Sequence, residues 1–267
     1  MPIPYDLHVH TVYSDGTNTP EEVAAAALCR GMTWLGFSDH APLPFPTDWA
    51  LPAKKEKDYK DRIERLKEPY AGRLRILSGL ELDYFTDRHL SGYDYTIGSA
   101  HFVLKDGQYL PVDESSEVLE QNVKEYYRGD YIAFAEDYFS MVADIVRKTD
   151  CTIIGHLDLV AKFNEGDRLF NTKDARYVAA WKAACDALLA FGRPFEINTG
   201  AVSRGYRTVP YPSDEILSYL KERGALFLLS SDSHQKDTLQ FGFDRFTLPR
   251  HIITDPEKLF GSASPVL

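Results

Sequence analysis

Tyr5-Asp6-Leu7-His8-Val9-His10-Thr11-Val12-Tyr13-Ser14-Asp15-Gly16 is the stretch on which the reading of this chain turns. Its first half alternates. Side chains two apart on a strand share a face, so Asp6, His8 and His10 point one way and Leu7 and Val9 the other. Two imidazoles on one strand face can grip a single metal ion. Ser14, Asp15 and Gly16 mark a turn that can fold the Asp15 carboxylate back over the same strand end. A lone His-x-His is weak, because a pair of surface or capped histidines reads the same way. Later strands decide the matter, if they bring further ligands to the same place.

Outward from that strand, expected over Tyr5 to His10, the chain repeats one alternation. Thr19 can cap a helix, with Pro20 at its first position, Glu22 completing a capping box and Gly31 ending it. Strand signals then recur over Thr33 to Ser38, Leu74 to Leu82, Tyr93 to Val103, Thr152 to His156, Pro194 to Asn198 and Ala225 to Ser230. Helical spacing predicts helices over Ala53 to Pro69, Glu117 to Tyr127, Tyr131 to Lys148 and Lys173 to Phe191, and another capped by Ser213 that runs to Arg223. A short helical signal follows around Pro256 to Phe260. Four prolines exclude regular structure from Ala41 to Pro52. Seven strands, apolar on both faces and alternating with helices, predict an α/β fold of parallel β/α units wrapped as a barrel. No linker is visible, so residues 1–267 read as a single domain, a size that β/α barrels reach.

Composition narrows the partners. The formal charge is −10 with no run of lysines or arginines, which predicts no nucleic acid partner. An acidic protein can still bind an anion where metal ions supply positive charge. Cys29, Cys151 and Cys185 lie far apart without Cys-x-x-Cys spacing, as reduced thiols packed in the core of a cytoplasmic protein would. No segment has the apolar length to span a bilayer, so no membrane association is expected.

The decisive pattern is where ligand-type residues fall. Strand 1 ends in His8 and His10, strand 2 in His40 and strand 3 in Glu81. Strand 4 carries His101, strand 5 His156, and strand 7 ends in Asp232 and His234. Of eight histidines, only His89 and His251 lie outside this set. In a parallel barrel the C-terminal strand ends form one face, so these residues converge although they span the sequence. Each alone could be a satisfied core histidine; together they predict a polynuclear metal site.

The stretches His-Val-His-Thr-Val-Tyr-Ser-Asp-Gly, Ser-Asp-His, Gly-Leu-Glu, Gly-Ser-Ala-His-Phe-Val, Gly-His-Leu-Asp and Ser-Ser-Asp-Ser-His resemble the ordered motifs of the PHP (polymerase and histidinol phosphatase) superfamily. Within it, Tyr93 to Phe102, Ile154 to Asp158, Glu196 to Thr199 and Gly242 to Asp244 resemble bacterial monofunctional histidinol-phosphate phosphatases. The resemblance implies a distorted (β/α)7 barrel with three divalent metal ions. By it, His8, His10, Glu81 and Asp232 hold one ion. Glu81 bridges to a second, completed by His101 and His156, and Asp15, His40 and His234 hold the third. Asp15 stands where some members have histidine, which should favour a harder ion. Mixed imidazole and carboxylate ligation without thiolate suits Zn, Mn or Fe. The implied activity is hydrolysis of a small phosphate monoester, L-histidinol phosphate, in histidine biosynthesis. A metal-bridging hydroxide would be the nucleophile, with Glu81, Asp232, His234 and Asp15 as the catalytic side chains. Three divalent ions against three carboxylates leave a local charge near +3, a trap for a phosphate dianion.

Loops must supply the rest. Arg204 is the first candidate for gripping phosphate, because a guanidinium fork matches two phosphate oxygens, and Lys162 is the second. The alternative for both, as for Arg88 and Arg207, is a solvated surface cation. Asp39 and Asp158 either steady histidines or serve as turn residues, and His89 has no assigned role. The loop Ala41 to Pro52 either closes over substrate or packs on the barrel rim. Other functional classes fit less well. An amidohydrolase barrel also opens with His-x-His but typically bridges its metals through a strand-4 lysine, where this chain offers His101. Nucleotide, phosphodiester or phosphotyrosine hydrolysis stays open within the resemblance. A non-catalytic interaction barrel has no need of nine ligand-type side chains.

Overall fold

Barrel closure in this chain depends on strands that are short and on bonds that continue past them. A computed structural model describes residues 3–87, 90–245 and 251–260. In chain order it runs β1 (Tyr5–Asp6), α1 (Pro20–Cys29), β2 (Trp34–Phe37), α2 (Glu56–Tyr70), β3 (Arg75–Asp83) and β4 (Tyr95–Ser99). Next come β5 (Phe102–Lys105), β6 (Gln108–Pro111), α3 (Ser116–Tyr127), α4 (Tyr131–Thr149), β7 (Ile153–Ile154), α5 (Ala175–Leu189) and β8 (Phe195–Asn198). The chain then forms α6 (Gly200–Ser203), α7 (Asp214–Glu222), β9 (Phe227–Ser230) and α8 (Glu257–Phe260). Seven parallel strands stand in the order β1-β2-β3-β4-β7-β8-β9. Beyond β1 and β9, Val9 bridges Ser233 in parallel, with His10 N donating to Ser233 O at 2.8 Å and Ser233 N to His8 O at 3.0 Å. That bridge draws the first and last strands together at their C-terminal ends, so the sheet is a distorted (β/α)7 barrel.

At the opposite end, the segment before α8 pairs with β9 through Phe227 and Ile252, and Tyr5 Oη donates to Ile253 O at 2.7 Å. Helices cover the outside. Each buries one apolar face, Tyr59, Ile63 and Leu66 on α2, and Phe134, Tyr138, Val142 and Ile145 among others on α4. α1 starts with the expected capping box, Thr19 N donating to Glu22 Oε2 at 2.9 Å. Among the described residues no helix is long and apolar enough to cross a membrane. Cys151 and Cys185 are packed in the core as expected, but Cys29 is exposed.

Three expectations of local structure change. The first strand regularly pairs only over Tyr5–Asp6; the histidine stretch beyond it is held by the Val9–Ser233 bridge on one side and by Val9 bonds to Ser38 on the other. The fourth strand ends at Ser99, and His101 lies in the step before an antiparallel hairpin, β5–β6, that leaves the barrel rim. Side-chain periodicity runs through the step unbroken, so sequence alone does not show it. Ser213 precedes α7 but makes no side-chain cap; its N–H instead donates to Asp158 Oδ2 at 3.0 Å.

Candidate metal centre and active-site cleft

Glu81 is the hub of the site. It lies near the end of β3, 1% exposed, and its two oxygens face five histidines from four separate stretches. Oε1 is 2.9 Å from His156 Nε2 and 3.5 Å from His101 Nε2. Oε2 is 2.9 Å from His40 Nδ1, 3.3 Å from His8 Nε2 and 3.7 Å from His10 Nε2. Asp232 joins from the end of β9, with Oδ1 at 3.3 Å from His10 Nε2 and 3.8 Å from His8 Nε2. Its φ is +51°, a left-handed turn, and its carboxylate lies against Gly200, where a Cβ would collide with it.

Asp15 is brought in by the turn after His10. Gly16 packs on the His10 backbone so closely that a Cβ there would collide, which lets the turn fold back. Asp39 fixes that turn. Its Oδ1 accepts from Thr11 N at 2.8 Å, Ser14 N at 3.0 Å and Ser14 Oγ at 2.6 Å. Asp15 then lies 3.1 Å from His234 Nε2, 3.5 Å from His10 Nδ1 and 3.7 Å from His40 Nε2. The eight side chains named from the strand-end pattern and Asp15, named from the turn, therefore stand in one cluster.

The donor atoms fall into three groups able to hold an ion: His8, His10 and Asp232; His40, Glu81 and His101; and His10, Asp15, His40 and His234. These overlap the family-derived partition without matching it. His40 faces both Glu81 and Asp15, and His10 faces both Asp232 and Asp15. Whether the residues fit metal ions can be judged from their free atoms. His8 Nε2, both ring nitrogens of His10 and Glu81 Oε2 are buried without a hydrogen-bond partner among the described residues, and all belong to the cluster. The far nitrogens of two ligand-type histidines are fixed from behind. His8 Nδ1 lies 2.7 Å from Glu196 Oε1 and His101 Nδ1 lies 3.1 Å from Asp83 Oδ2. A carboxylate in that place puts the proton on Nδ1 and turns the Nε2 lone pair to the centre, as metal-ligating histidines require. Nitrogen and oxygen donors without sulfur suit a borderline or hard divalent cation.

Against burial, the carboxylates facing them raise His8 and His40 well above the ordinary imidazole value. Burial alone would raise the Glu81 carboxyl, but the imidazoles of His8, His40 and His101 outweigh it and hold it well below the usual carboxylate range. Asp232 is likewise held far below its ordinary value against burial, by Arg204 and His8. His10 goes the other way, pushed down to about 3 by burial and by the neighbouring His234 and His40. A ring that stays neutral presents lone pairs to a cation.

The cluster floors a cleft of about 660 Å³. One wall is aromatic. Phe45 of the proline-rich loop stacks on Tyr109 of the hairpin at 4.0 Å between centroids, and Trp49 lies 4.5 Å from the His40 ring and 5.9 Å from Phe102. The loop thus packs on the rim and lines the cleft at once. Arg204 and Lys162 also line the cleft. Arg204 donates from Nη1 to Asp232 O at 2.9 Å and from Nη2 to Asp232 Oδ2 at 3.1 Å. Lys162 is 7% exposed and donates to Asp113 O at 2.8 Å and Asp113 Oδ2 at 3.1 Å. Lys162 is thus a buried, paired cation, while Arg204 is exposed but tied to Asp232. Arg207 is also buried, with Nη1 at 3.8 Å from Asp158 Oδ2. Among the described residues neither Asp39 nor Asp158 has a side-chain bond to a histidine: one holds the Asp15 turn, the other the start of α7. His89 and Arg88 lie outside the described residues.

Glu196, Asp83 and Asp113 escaped the sequence reading. Glu196 carried the one available signal, an acidic residue inside an otherwise apolar strand.

A parallel β/α barrel that gathers five imidazoles around one carboxylate at its C-terminal face defines a class, the barrels with a metal-binding face. The chain matches the PHP domain family over residues 6–200, and it belongs to that family. It is 31% identical to the "Probable histidinol-phosphatase" of Deinococcus radiodurans, covering 89% of each chain. A solved chain from Listeria monocytogenes superposes with a TM-score of 0.78 at 20% identity, over 91% of this chain and 99% of that one. For the histidinol phosphate phosphatase of Lactococcus lactis, solved with zinc, L-histidinol and phosphate, the TM-score is 0.61 at 22% identity, over 88% and 87%. At these identities the two structures bear on the fold.

Proposed function

We propose that this chain is a metal-dependent phosphomonoesterase that hydrolyses L-histidinol phosphate to L-histidinol and phosphate. The observation that carries the reading is Glu81, buried at the floor of a cleft with histidine nitrogens 2.9–3.7 Å from its two oxygens. The Deinococcus and Lactococcus relatives, by their names, support the substrate. His8, His10, Glu81 and Asp232 would hold one ion, Glu81, His101 and His156 a second, and Asp15, His40 and His234 a third, with His10 and His40 able to lean between groups. Zn, Mn or Fe suits these donors. Such ions supply water that ionises near neutral pH and neutralise charge on the phosphoryl oxygens.

The chain's own residues do the rest. Glu81 and Asp232 set the spacing of the floor, Asp15 and His234 that of the rim. Glu196 and Asp83 keep His8 and His101 in one tautomer and orientation. Arg204 stands where a guanidinium N–H can reach a phosphoryl oxygen seated over Asp232, and Lys162 adds positive charge beside Asp113. The whole chain would act as one unit in the cytoplasm, consistent with its three unpaired cysteines. The test is a substrate panel on metal-loaded protein: histidinol phosphate, a nucleotide, phosphotyrosine and a phosphodiester. Histidinol phosphate should give the highest kcat/KM; a clear preference for any of the others overturns the substrate while leaving the barrel standing.

A further inference from the structure

Lys162 and Arg204 stand on different loops, one after β7 and the other after β8, at the end of the short α6. To grip one phosphoryl group together, the two loops must keep a fixed spacing. The bonds already described do not set it, because they tie each cation to a third element: Arg204 to Asp232 and Lys162 to Asp113. Three other contacts join the loops directly. Arg207, 7% exposed, places Nη1 3.8 Å from Oδ2 of the fully buried Asp158 and its guanidinium carbon 4.6 Å from the ring centroid of the buried Tyr211. Thr208 donates to Glu165 Oε1 from N at 2.7 Å and from Oγ1 at 2.5 Å. Tyr206 meets Phe163 edge-on at 5.8 Å between centroids, and Lys162 Nζ lies 4.7 Å from the Tyr206 ring centroid. Burial pulls the Arg207 guanidinium down, yet Asp158 lifts it above its ordinary value, so it stays charged. A buried ion pair is a costly fastening where an apolar side chain would serve, and what it adds is a defined relative position.

Resting on the phosphomonoesterase reading above, we infer that Arg207 is a positioning residue: paired with Asp158, and seconded by Thr208 on Glu165, it sets the spacing at which Arg204 and Lys162 grip one phosphoryl group. Arg207 itself does not line the cleft. It acts three residues further along the chain than Arg204, on the same loop, so a shift of its guanidinium carries Arg204 with it. Misplacement of a binding group by about 1 Å is enough to cost a large factor in rate. The effect belongs to the phosphate end of the substrate, so it is the same for every monoester and for inorganic phosphate.

The test measures KM for histidinol phosphate and for p-nitrophenyl phosphate, and the inhibition constant of inorganic phosphate, on metal-loaded Arg207→Met, Arg207→Lys and Glu165→Ala. In Arg207→Met the three constants should rise together by about tenfold, with a smaller change in kcat and metal content unchanged. Arg207→Lys keeps a charge opposite Asp158 and should recover part of the loss. Glu165 and Thr208 are exposed, so Glu165→Ala leaves the core intact and should raise the constants by about two- to threefold. In an Arg204→Met background, Arg207→Met should add little, because the cation it positions is gone. A loss that adds in full to that of Arg204→Met overturns the inference, as does lowered thermal stability with all three constants unchanged. Should Arg207→Met fail to fold, unchanged constants in both Arg207→Lys and Glu165→Ala overturn it. If no ester is turned over, the phosphomonoesterase reading falls, and calorimetric titration of the same metal-loaded proteins with inorganic phosphate decides the role of Arg207. Its replacement should then weaken phosphate binding only where Arg204 is present, and weakening regardless of Arg204 contradicts it.

Discussion

Floor and rim of the metal-ligand cluster are built by different means. Glu81 sits on the longest strand, β3, eight of whose nine residues are buried, and is itself 1% exposed. Asp15 and His234 keep 30% and 21% of their side chains exposed and are carried by turns. The floor inherits its geometry from the sheet register, where β3 pairs with β2 and β4 residue by residue. The rim depends on a few side-chain bonds, above all those of Asp39 to Thr11 and Ser14. The floor should thus be preorganised, and the rim should adapt to its ion and to substrate.

The first way to break this contrast is Glu81→Ala. If one carboxylate serves two ions, its loss should lower kcat by at least ~10²-fold, more than the loss of any single histidine. Steady-state kinetics with parallel metal analysis checks it, and near-normal turnover at full occupancy would contradict the bridge. Arg204→Met comes next. Loss of one charge-assisted contact to phosphate should reduce kcat/KM by roughly ten- to 150-fold. Because Nη2 also holds Asp232, metal content must be measured alongside; a fall in activity that merely tracks lost metal assigns Arg204 to the floor and not to substrate. The smallest effect is expected at the rim. Asp39→Ala should cost about 1–3 kcal/mol of stability by leaving donors of the turn unpaired. It should lower metal content by no more than the ion nearest Asp15. Equal loss of every ion in this variant would erase the distinction between rim and floor.

The parts legible in the sequence were those in which identity alone carries position. Histidine is scarce, and six of them at successive strand ends left few arrangements in which they did not meet. The strand count survived because each run of β-branched and aromatic residues was bounded by a turn signal. What stayed hidden was partnership. Asp39, Asp83, Asp158 and Glu196 are all acidic and all buried, yet one folds a turn, two orient histidines and one anchors a helix start. Nothing in the local sequence distinguishes these duties, since each is set by a neighbour distant in the chain. Arg207 misled for the same reason: a loop arginine reads as solvated until the partner that buries it, Asp158, is placed beside it. The break between Ser99 and Phe102 escaped because a hairpin that leaves a barrel keeps the alternation of the strand it leaves.

The central claim is that nine side chains at the C-terminal face of the barrel hold three divalent ions around Glu81. Anomalous scattering from crystals of metal-loaded protein, with elemental analysis of the same preparation, tests it most directly. The account predicts three peaks within the cluster, two of them sharing Glu81 and the third beside Asp15 and His234. No bound metal under loading conditions, or ions found away from this face, would contradict it.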